Sequence, residues 1–257
     1  MLKEKTYTVN LCAKEPLRIG GKKDPLSGAD NPVTRVGEKL VIPGPSLKGA
    51  LRAEIERFLI DSYFINGGWK EGFEDLKPCV PGDKSSEDEK RLISAGKYRE
   101  KGCRYLSDKK EKQPEKTDTG PICPACYLLG SMGLNGFVRV PFLYASASAA
   151  ELYSSRIDRA TRTIVHGTNR PYELVPDGTI FSGTLTVLLE DSILGWKVGE
   201  ARTLDGKGDK WLKDGKGKIS RDEFVKTYVL DRLEAIKTIG GYKSKGFGNI
   251  QITIEST

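Results

Sequence analysis

Four short runs of alternating apolar and polar residues, separated by two amphipathic stretches in a particular order, limit the fold of this chain more than anything else in it. Lys5–Ala13 alternates, with Tyr7, Val9 and Leu11 on one side and Thr6, Thr8 and Asn10 on the other, the pattern of a half-buried strand. Leu47, Leu51, Ile55, Phe58 and Leu59 then fall on one helical stripe, with Ser46 after Pro45 as the expected N-cap. Val138, Val140, Phe142 and Tyr144 alternate along Phe137–Tyr144, where Pro141 argues for an edge position or a bulge. Thr179–Glu190 places Phe181, Leu185, Val187 and Leu189 on one face. Arg221–Thr238 is helical, its apolar side built by Phe224, Val225, Tyr228, Val229, Leu233 and Ile236, and Ile250, Ile252 and Ile254 form a last alternating strand. Strand, helix, strand, strand, helix, strand is the ferredoxin-like βαββαβ order, an antiparallel sheet covered on one face by two helices. Sheets of this kind often present the open face to single-stranded RNA.

The expected architecture is therefore α+β: a modified ferredoxin-like, RRM-like core over 1–60 and 136–257, with a Cys-containing helical or irregular insertion over 61–135. A chain of 257 residues buries one core, or one core and a satellite. Hydrophobic residues make up only 37% and charged residues 30%, which points to long solvated insertions around an ordinary core. The polar, basic segment Arg156–Pro176 has the pattern of an extended hairpin, and Ser192–Ser220 that of a Gly/Lys/Asp-rich loop.

A net charge of +7 favours a polyanionic partner without distinguishing RNA, DNA or acidic lipid. No run approaches the length of apolar chain that spans a bilayer, and the N-terminus passes directly into a strand without a signal-peptide apolar region. The expected location is the cytoplasm, with no membrane partner. The five cysteines there are thiols or metal ligands rather than disulfides. Cys123-Pro-Ala-Cys126 is a C-x-x-C knuckle with Cys103 and Cys79 upstream in the same insertion. Four thiolates would close a tetrahedral structural zinc site and stabilise a segment poor in apolar residues. Cys103, Cys123 and Cys126 are the first three candidates and Cys79 the fourth, with His166 a conceivable substitute. Cys12, in the first strand, is a small core residue.

Two further segments combine glycines and basic residues at a boundary between loop and regular structure. Gly240, Gly241, Gly246 and Gly248 surround Tyr242, Lys243 and Lys245. Glycine here permits close approach of backbone N–H groups to a phosphate, and equally permits a tight turn. The context is not that of a Walker A loop, because the lysine follows a tyrosine and the segment leads into a strand. The run P-G-P-S-L-K-G aims a helix N-terminus, with Ser46 and Lys48, out of a glycine-bearing loop, where an anion is favoured. His166, the single histidine, has no partner for paired acid–base catalysis and fits a hairpin tip or an RNA contact. Asp30, before Asn31-Pro32, has the composition of a turn.

Taken together, these segments resemble the RAMP superfamily, in particular the backbone subunit of type III CRISPR effector complexes of the Csm/Cmr kind. The matching runs are R-I-G-G at 18–21, A-D-N-P-V-T-R at 29–35, I-P-G-P-S-L-K-G-A-L-R at 42–52 and C-P-A-C-Y-L-L-G-S at 123–131. Others are I-D-R-A-T-R-T at 157–163, Y-E-L-V-P-D-G-T-I-F at 172–181 and G-G-Y-K-S-K-G-F-G at 240–248. Arg18 departs from relatives that carry histidine there. The resemblance implies an endoribonuclease subunit that stacks with copies of itself into a filament. Its implied partners are CRISPR RNA, complementary target RNA and other subunits of the complex. It implies a thumb hairpin over about 157–176, including His166 and Arg170, and RNA contacts from Gly20, Gly21, Ser46, Lys48, Arg52, Gly240, Gly241, Lys243, Lys245 and Gly246. Asp30 matches the loop aspartate that cuts target RNA with a divalent metal such as Mg2+. A non-catalytic RNA-binding scaffold of the same kind is the alternative. A guide-processing ribonuclease fits less well, since no histidine, tyrosine and lysine set is visible.

Overall fold

The alternation at the start of the chain becomes β1 (Leu2–Ala13), with Val9 and Leu11 wholly buried. The structure, a computed structural model, describes residues 1–21, 31–81, 85–105, 121–202, 204, 208–213 and 219–256. Beyond β1 come the short strands β2 (Arg35–Val36) and β3 (Lys39–Ile42), then helix α1 (Gly44–Tyr63), the small hairpin β4 (Phe64–Ile65) and β5 (Gly68–Trp69), and helices α2 (Glu87–Ser94) and α3 (Pro124–Leu129). There follow β6 (Val138–Arg139), β7 (Leu143–Ala145), β8 (Ala150–Ser154), β9 (Arg170–Leu174), the long β10 (Ile180–Asp191) and β11 (Trp196–Lys197). The chain closes through α4 (Lys210–Lys213), α5 (Arg221–Val225), a π-helical turn at Lys226–Leu230, α6 (Asp231–Glu234) and β12 (Ile250–Ser256).

Two compact units divide the chain: one of Met1–Thr6, Leu51–Arg139 and Leu185–Leu233, the other of Tyr7–Ala50, Val140–Thr184 and Glu234–Thr257. β1, α1 and β10 contribute residues to both. The stretch 61–135, expected from sequence to be an insertion, falls wholly within the first unit.

The sheet runs β12-β1-β10-β7 and continues into β3 and β2. Numbered as the four core strands of the sequence, that is the order four-one-three-two of a ferredoxin-like sheet. β1 and β12 pair antiparallel from Tyr7 opposite Ser256 to Ala13 opposite Ile250. Pro141 does interrupt its strand. β6 pairs with β10 through Thr186 opposite Arg139, and β7 through Ser182 opposite Tyr144, so six residues on one side face five on the other. The extra residue is a bulge, as a proline without an N–H requires. The strands β2 and β3 were not visible as a pattern, because each is too short to alternate.

Helix α1 buries Leu47, Leu51, Ile55 and Leu59 completely, the stripe seen in the sequence. It starts earlier than expected. The Pro43 carbonyl accepts from the N–H groups of Ser46 and Leu47 at 2.9 and 3.2 Å, so Ser46 lies inside the first turn instead of capping it. Pro45 suits that turn, where its missing N–H costs nothing. Gly44 is required by packing: a Cβ there would stand 3.1 Å from the Val140 carbonyl oxygen and 3.2 Å from that of Pro141.

In the first unit the core is aromatic. Tyr127 is fully buried, 4.7 Å from Phe137 and 5.5 Å from Trp211 between ring centres, and its hydroxyl donates to the Glu200 carbonyl at 2.9 Å. Arg202 and Asp209 form a wholly buried ion pair at 2.8 Å. The described part of Ser192–Ser220, expected to be a solvated loop, therefore supplies core residues: Val198, Arg202, Leu204, Asp209 and Trp211 are all buried.

The hairpin expected at about 157–176 is present but is longer and starts upstream. β8 pairs with β9 from Ala150 opposite Leu174 to Ser154 opposite Arg170. Every residue of β8 is at least partly exposed, so no apolar face marked it in the sequence.

Candidate functional site

In the second unit, segments remote in sequence converge at the foot of the β8–β9 hairpin. The Gly241 N–H donates to the Arg18 carbonyl at 2.8 Å, and the Gly248 N–H to that of Pro16 at 3.0 Å. Gly240, at φ +88, brings the C-terminal loop so close that a Cβ would lie 2.5 Å from the Arg18 carbonyl oxygen. Gly21 is packed as tightly on the other side, where a Cβ would stand 2.7 Å from the Val33 carbonyl oxygen. R-I-G-G and G-G-Y-K-S-K-G-F-G are thus two walls of one structure, joined through Arg18.

An aromatic cluster fills the junction. Tyr242 takes a left-handed conformation (φ +59) before a 3-10 turn at Lys243–Lys245. Its ring lies 6.0 Å from those of Tyr172 on β9 and Phe247. The Arg18 guanidinium sits 4.6 Å from the centre of the Tyr242 ring and 5.9 Å from Tyr172, within cation–π range. Arg18 is buried, and its Nη1 has no hydrogen-bond partner among the described residues. Lys245 Nζ lies 4.7 Å from the centre of the same Tyr242 ring, and Lys243, Lys245 and Gly246 are exposed. Sequence alone did not single out Tyr172, whose role depends on packing across the hairpin.

The chain after Asp30 is fastened to the same hairpin. Asn31 bridges to Tyr172, and the Glu173 N–H donates to the Asn31 carbonyl at 3.1 Å. The Glu173 carboxylate accepts from the Val33 N–H at 2.9 Å and from two nitrogens of Arg35 at 2.7 and 3.0 Å. These bonds, chiefly the one from Arg35, hold the Glu173 carboxyl below the ordinary glutamate range. Asp30 itself lies outside the described residues. His166 and Arg170 are exposed on the hairpin, as are Arg156, Arg159 and Arg162. Ser46 and Lys48 are exposed on the first turns of α1 and, among the described residues, make none of the contacts just given.

Arg52, expected to reach RNA, points elsewhere. It is part of a second constellation, in the first unit, built around the cysteines. Cys123 stands at the N-cap of α3 and Cys126 in its first turn, so the C-x-x-C spacing turns both sulfurs to one side. Cys79 is placed by a bridge to Arg99, and Cys103 follows four residues on. The four Sγ atoms lie within 4.8 Å of one another, with Cys79 to Cys126 at 3.5 Å and Cys79 to Cys123 at 3.8 Å. All four are free thiols. A metal–sulfur arm of about 2.3 Å puts the corners of a tetrahedron about 3.8 Å apart, which these sulfurs approach without rearrangement. Backbone N–H groups of Cys103 and Cys123 point at the sulfurs of Cys79 and Cys103, at 3.4 and 3.3 Å. The hydrogen bonds shared among the four thiols hold Cys123 well below the ordinary thiol range and push Cys103 and Cys126 up, so one negative charge gathers on Cys123. A cavity of about 110 Å3, lined in part by Cys79, Cys103, Cys126 and Met132, gives an ion a way in. The donor set, spacing and access fit zinc.

An antiparallel four-one-three-two sheet, with a basic, glycine-bearing loop at the foot of a long hairpin, defines a ferredoxin-like protein. The family model of the RAMP superfamily matches residues 11–251, nearly the whole chain, and the chain belongs to that superfamily. It is accordingly a CRISPR-associated, RNA-binding subunit of the kind that works with CRISPR RNA and other subunits. No curated protein matches it at a significant level. Among the described residues, no helix is long and apolar enough to cross a membrane.

Proposed function

We propose that this chain is the CRISPR RNA-binding backbone subunit of a type III interference complex, and that it cuts guide-paired target RNA. The observation that carries the proposal is the junction at Arg18, where R-I-G-G, the 240–248 loop and the hairpin base form one basic, glycine-walled groove. In this groove the exposed Lys243 and Lys245, with Gly240, Gly241 and Gly246 letting the guide backbone approach and Gly20 and Gly21 opposite, hold the guide. Ser46 and Lys48 extend the same role at the start of α1, where the helix dipole favours phosphate. The hairpin, with His166, Arg170 and its further arginines, inserts between segments of the guide–target duplex.

Asp30 is the proposed cleaving residue. The Glu173 clamp on Val33 and Arg35 fixes the chain immediately after it, at the base of the hairpin that interrupts base pairing. A target linkage distorted there allows its 2′-OH to attack the adjacent phosphorus in line, with the 5′-oxygen leaving and a 2′,3′-cyclic phosphate as product. A carboxylate beside it accepts the 2′-OH proton or ligates a divalent ion such as Mg2+. The 61–135 insertion is a lid held by zinc on Cys79, Cys103, Cys123 and Cys126, which when bound would fix the loops carrying Cys79 and Cys103 to the buried helix α3. Copies of the subunit stack along the guide into a filament.

The test is Asp30→Ala in a reconstituted complex with complementary RNA. Cleavage is expected to fall by about 100-fold or more with target binding intact. Cleavage at the wild-type rate would remove Asp30 from the mechanism. A wild-type complex that binds target without cutting would leave the non-catalytic scaffold.

A further inference from the structure

Two arginines, one on α1 and one in the loop before Cys103, turn their guanidinium groups onto the cysteine sulfurs. Arg52 Nη1 lies 3.4 Å from Cys126 Sγ, and its Nη2 lies 3.4 Å from Cys79 Sγ and 3.2 Å from the Cys79 carbonyl. Arg99 Nη2 lies 3.3 Å from Cys103 Sγ, while its Nη1 donates to the Pro121 carbonyl. Both arginines are largely buried. The Arg52 side chain is 15% exposed, and its Nε faces Glu56 Oε1 at 2.7 Å, leaving both Nη groups to the sulfurs. Tyr98 donates to the other Glu56 oxygen at 3.2 Å and so holds the orienting carboxylate in place.

We propose that Arg52 and Arg99 are the charge-balancing shell of the cysteine centre, and that Arg52 is a positioning residue for the metal rather than an RNA contact. The proposal rests on the zinc assignment above. Four thiolates around a divalent ion carry two net negative charges, and the two guanidinium groups face them, Arg52 sharing its charge with Glu56. Four neutral thiols would not explain the arrangement. A thiol is a weak acceptor, so the Nη groups of two mostly buried arginines turned onto four such acceptors would be poorly satisfied, Arg52 keeping its Nε pairing with Glu56. Against thiolate sulfur the same N–H groups make charge-assisted bonds that also fix the ligand positions. Arg52 thereby ties α1, a few residues past the exposed Ser46 and Lys48, to the ligands Cys79 and Cys126. The sequence offered no sign of this: at position 52 a basic residue off the apolar stripe has the pattern of a solvated RNA contact.

The experiment compares the full-length chain with Arg52→Gln, Arg52→Lys and Arg99→Gln. Zinc content, the rate of zinc release to a chromogenic chelator, and single-stranded RNA affinity across a salt series are measured for each. Wild type is expected to hold one zinc per chain. Arg52→Gln and Arg99→Gln are expected to lose zinc affinity by about 10- to 100-fold, the usual cost of removing a group that orients metal ligands. Arg52→Lys, which keeps the charge, recovers part of that loss. A wild-type chain without zinc overturns the zinc assignment itself. A zinc-loaded wild type whose glutamine variants release zinc at the wild-type rate overturns only the role of the arginines. If Arg99→Gln fails to fold, the Arg52 pair still decides. Should Arg52→Gln keep its zinc but bind RNA with a salt slope shallower by about 0.7, Arg52 belongs to the RNA groove and the proposal is wrong.

Discussion

Gly240 is the residue on which the C-terminal loop closes against Arg18. Its φ of +88 is left-handed, and a Cβ would meet the Arg18 carbonyl oxygen at 2.5 Å, a backbone atom that cannot swing aside. Gly240→Ala is therefore expected to destabilise the protein by about 1–3 kcal/mol, read as a lower thermal midpoint. Its neighbour supplies the control. A Cβ on Gly241 would stand 3.8 Å from the same oxygen, ordinary contact, so Gly241→Ala is expected to change stability by less than about 0.5 kcal/mol. Equal losses at both positions would show that the close approach at Arg18 is not what the glycine serves. From composition, 240 and 241 were equivalent members of a glycine-rich loop. Only the carbonyl that Gly240 faces separates them.

Between the hairpin and the strand that follows Asp30, one carboxylate makes three of the joining bonds. Glu173 accepts from the Val33 N–H and twice from Arg35, and its pKa is lowered by these bonds. A carboxyl with a depressed folded-state pKa contributes stability that is fully present above its unfolded value and is lost as pH falls through the folded one. Glu173→Gln is expected to lower stability near neutral pH by about 1 kcal/mol, since the pair is partly exposed and the Val33 N–H loses a charged acceptor. The difference between wild type and variant should shrink as pH falls below the ordinary glutamate range, followed by denaturant unfolding across pH 3–7 (about). A pH-independent difference would mean that the carboxylate charge does not hold the clamp. At this scale the pattern recorded β1, β10, β12 and the buried stripe of α1. It missed β8, exposed on both faces, and the burial of Trp211 in a segment whose glycines and lysines resemble a solvated loop. The C-x-x-C knuckle was legible because both its ligands lie in one helical turn. Arg99 was not, because its link to Cys103 is a matter of how a loop folds back.

Across the molecule, a net charge of +7 becomes meaningful once the exposed basic residues are placed on the hairpin and the 242–246 turn. Binding through phosphates releases counterions, so affinity for single-stranded RNA should fall with a log–log salt slope of about 0.7 per contact. Replacing Lys243 and Lys245 together by alanine is expected to reduce that slope by about 1.4 and to weaken binding without sequence preference. A double variant with the wild-type slope would take the turn out of the groove. The order of the core strands and helices, the face that each buries, the basic surplus and the paired cysteines were determined by the sequence by itself, because local periodicity and spacing encode them directly. Only the tertiary structure decided that Arg18 joins two glycine-bearing segments from opposite ends of the chain, that Glu173 clamps the strand beyond Asp30, and that Arg52 faces sulfur. Each of those is a contact across a long loop, set by packing and by the closure of buried hydrogen bonds and charges, and no local pattern of residue types carries that information.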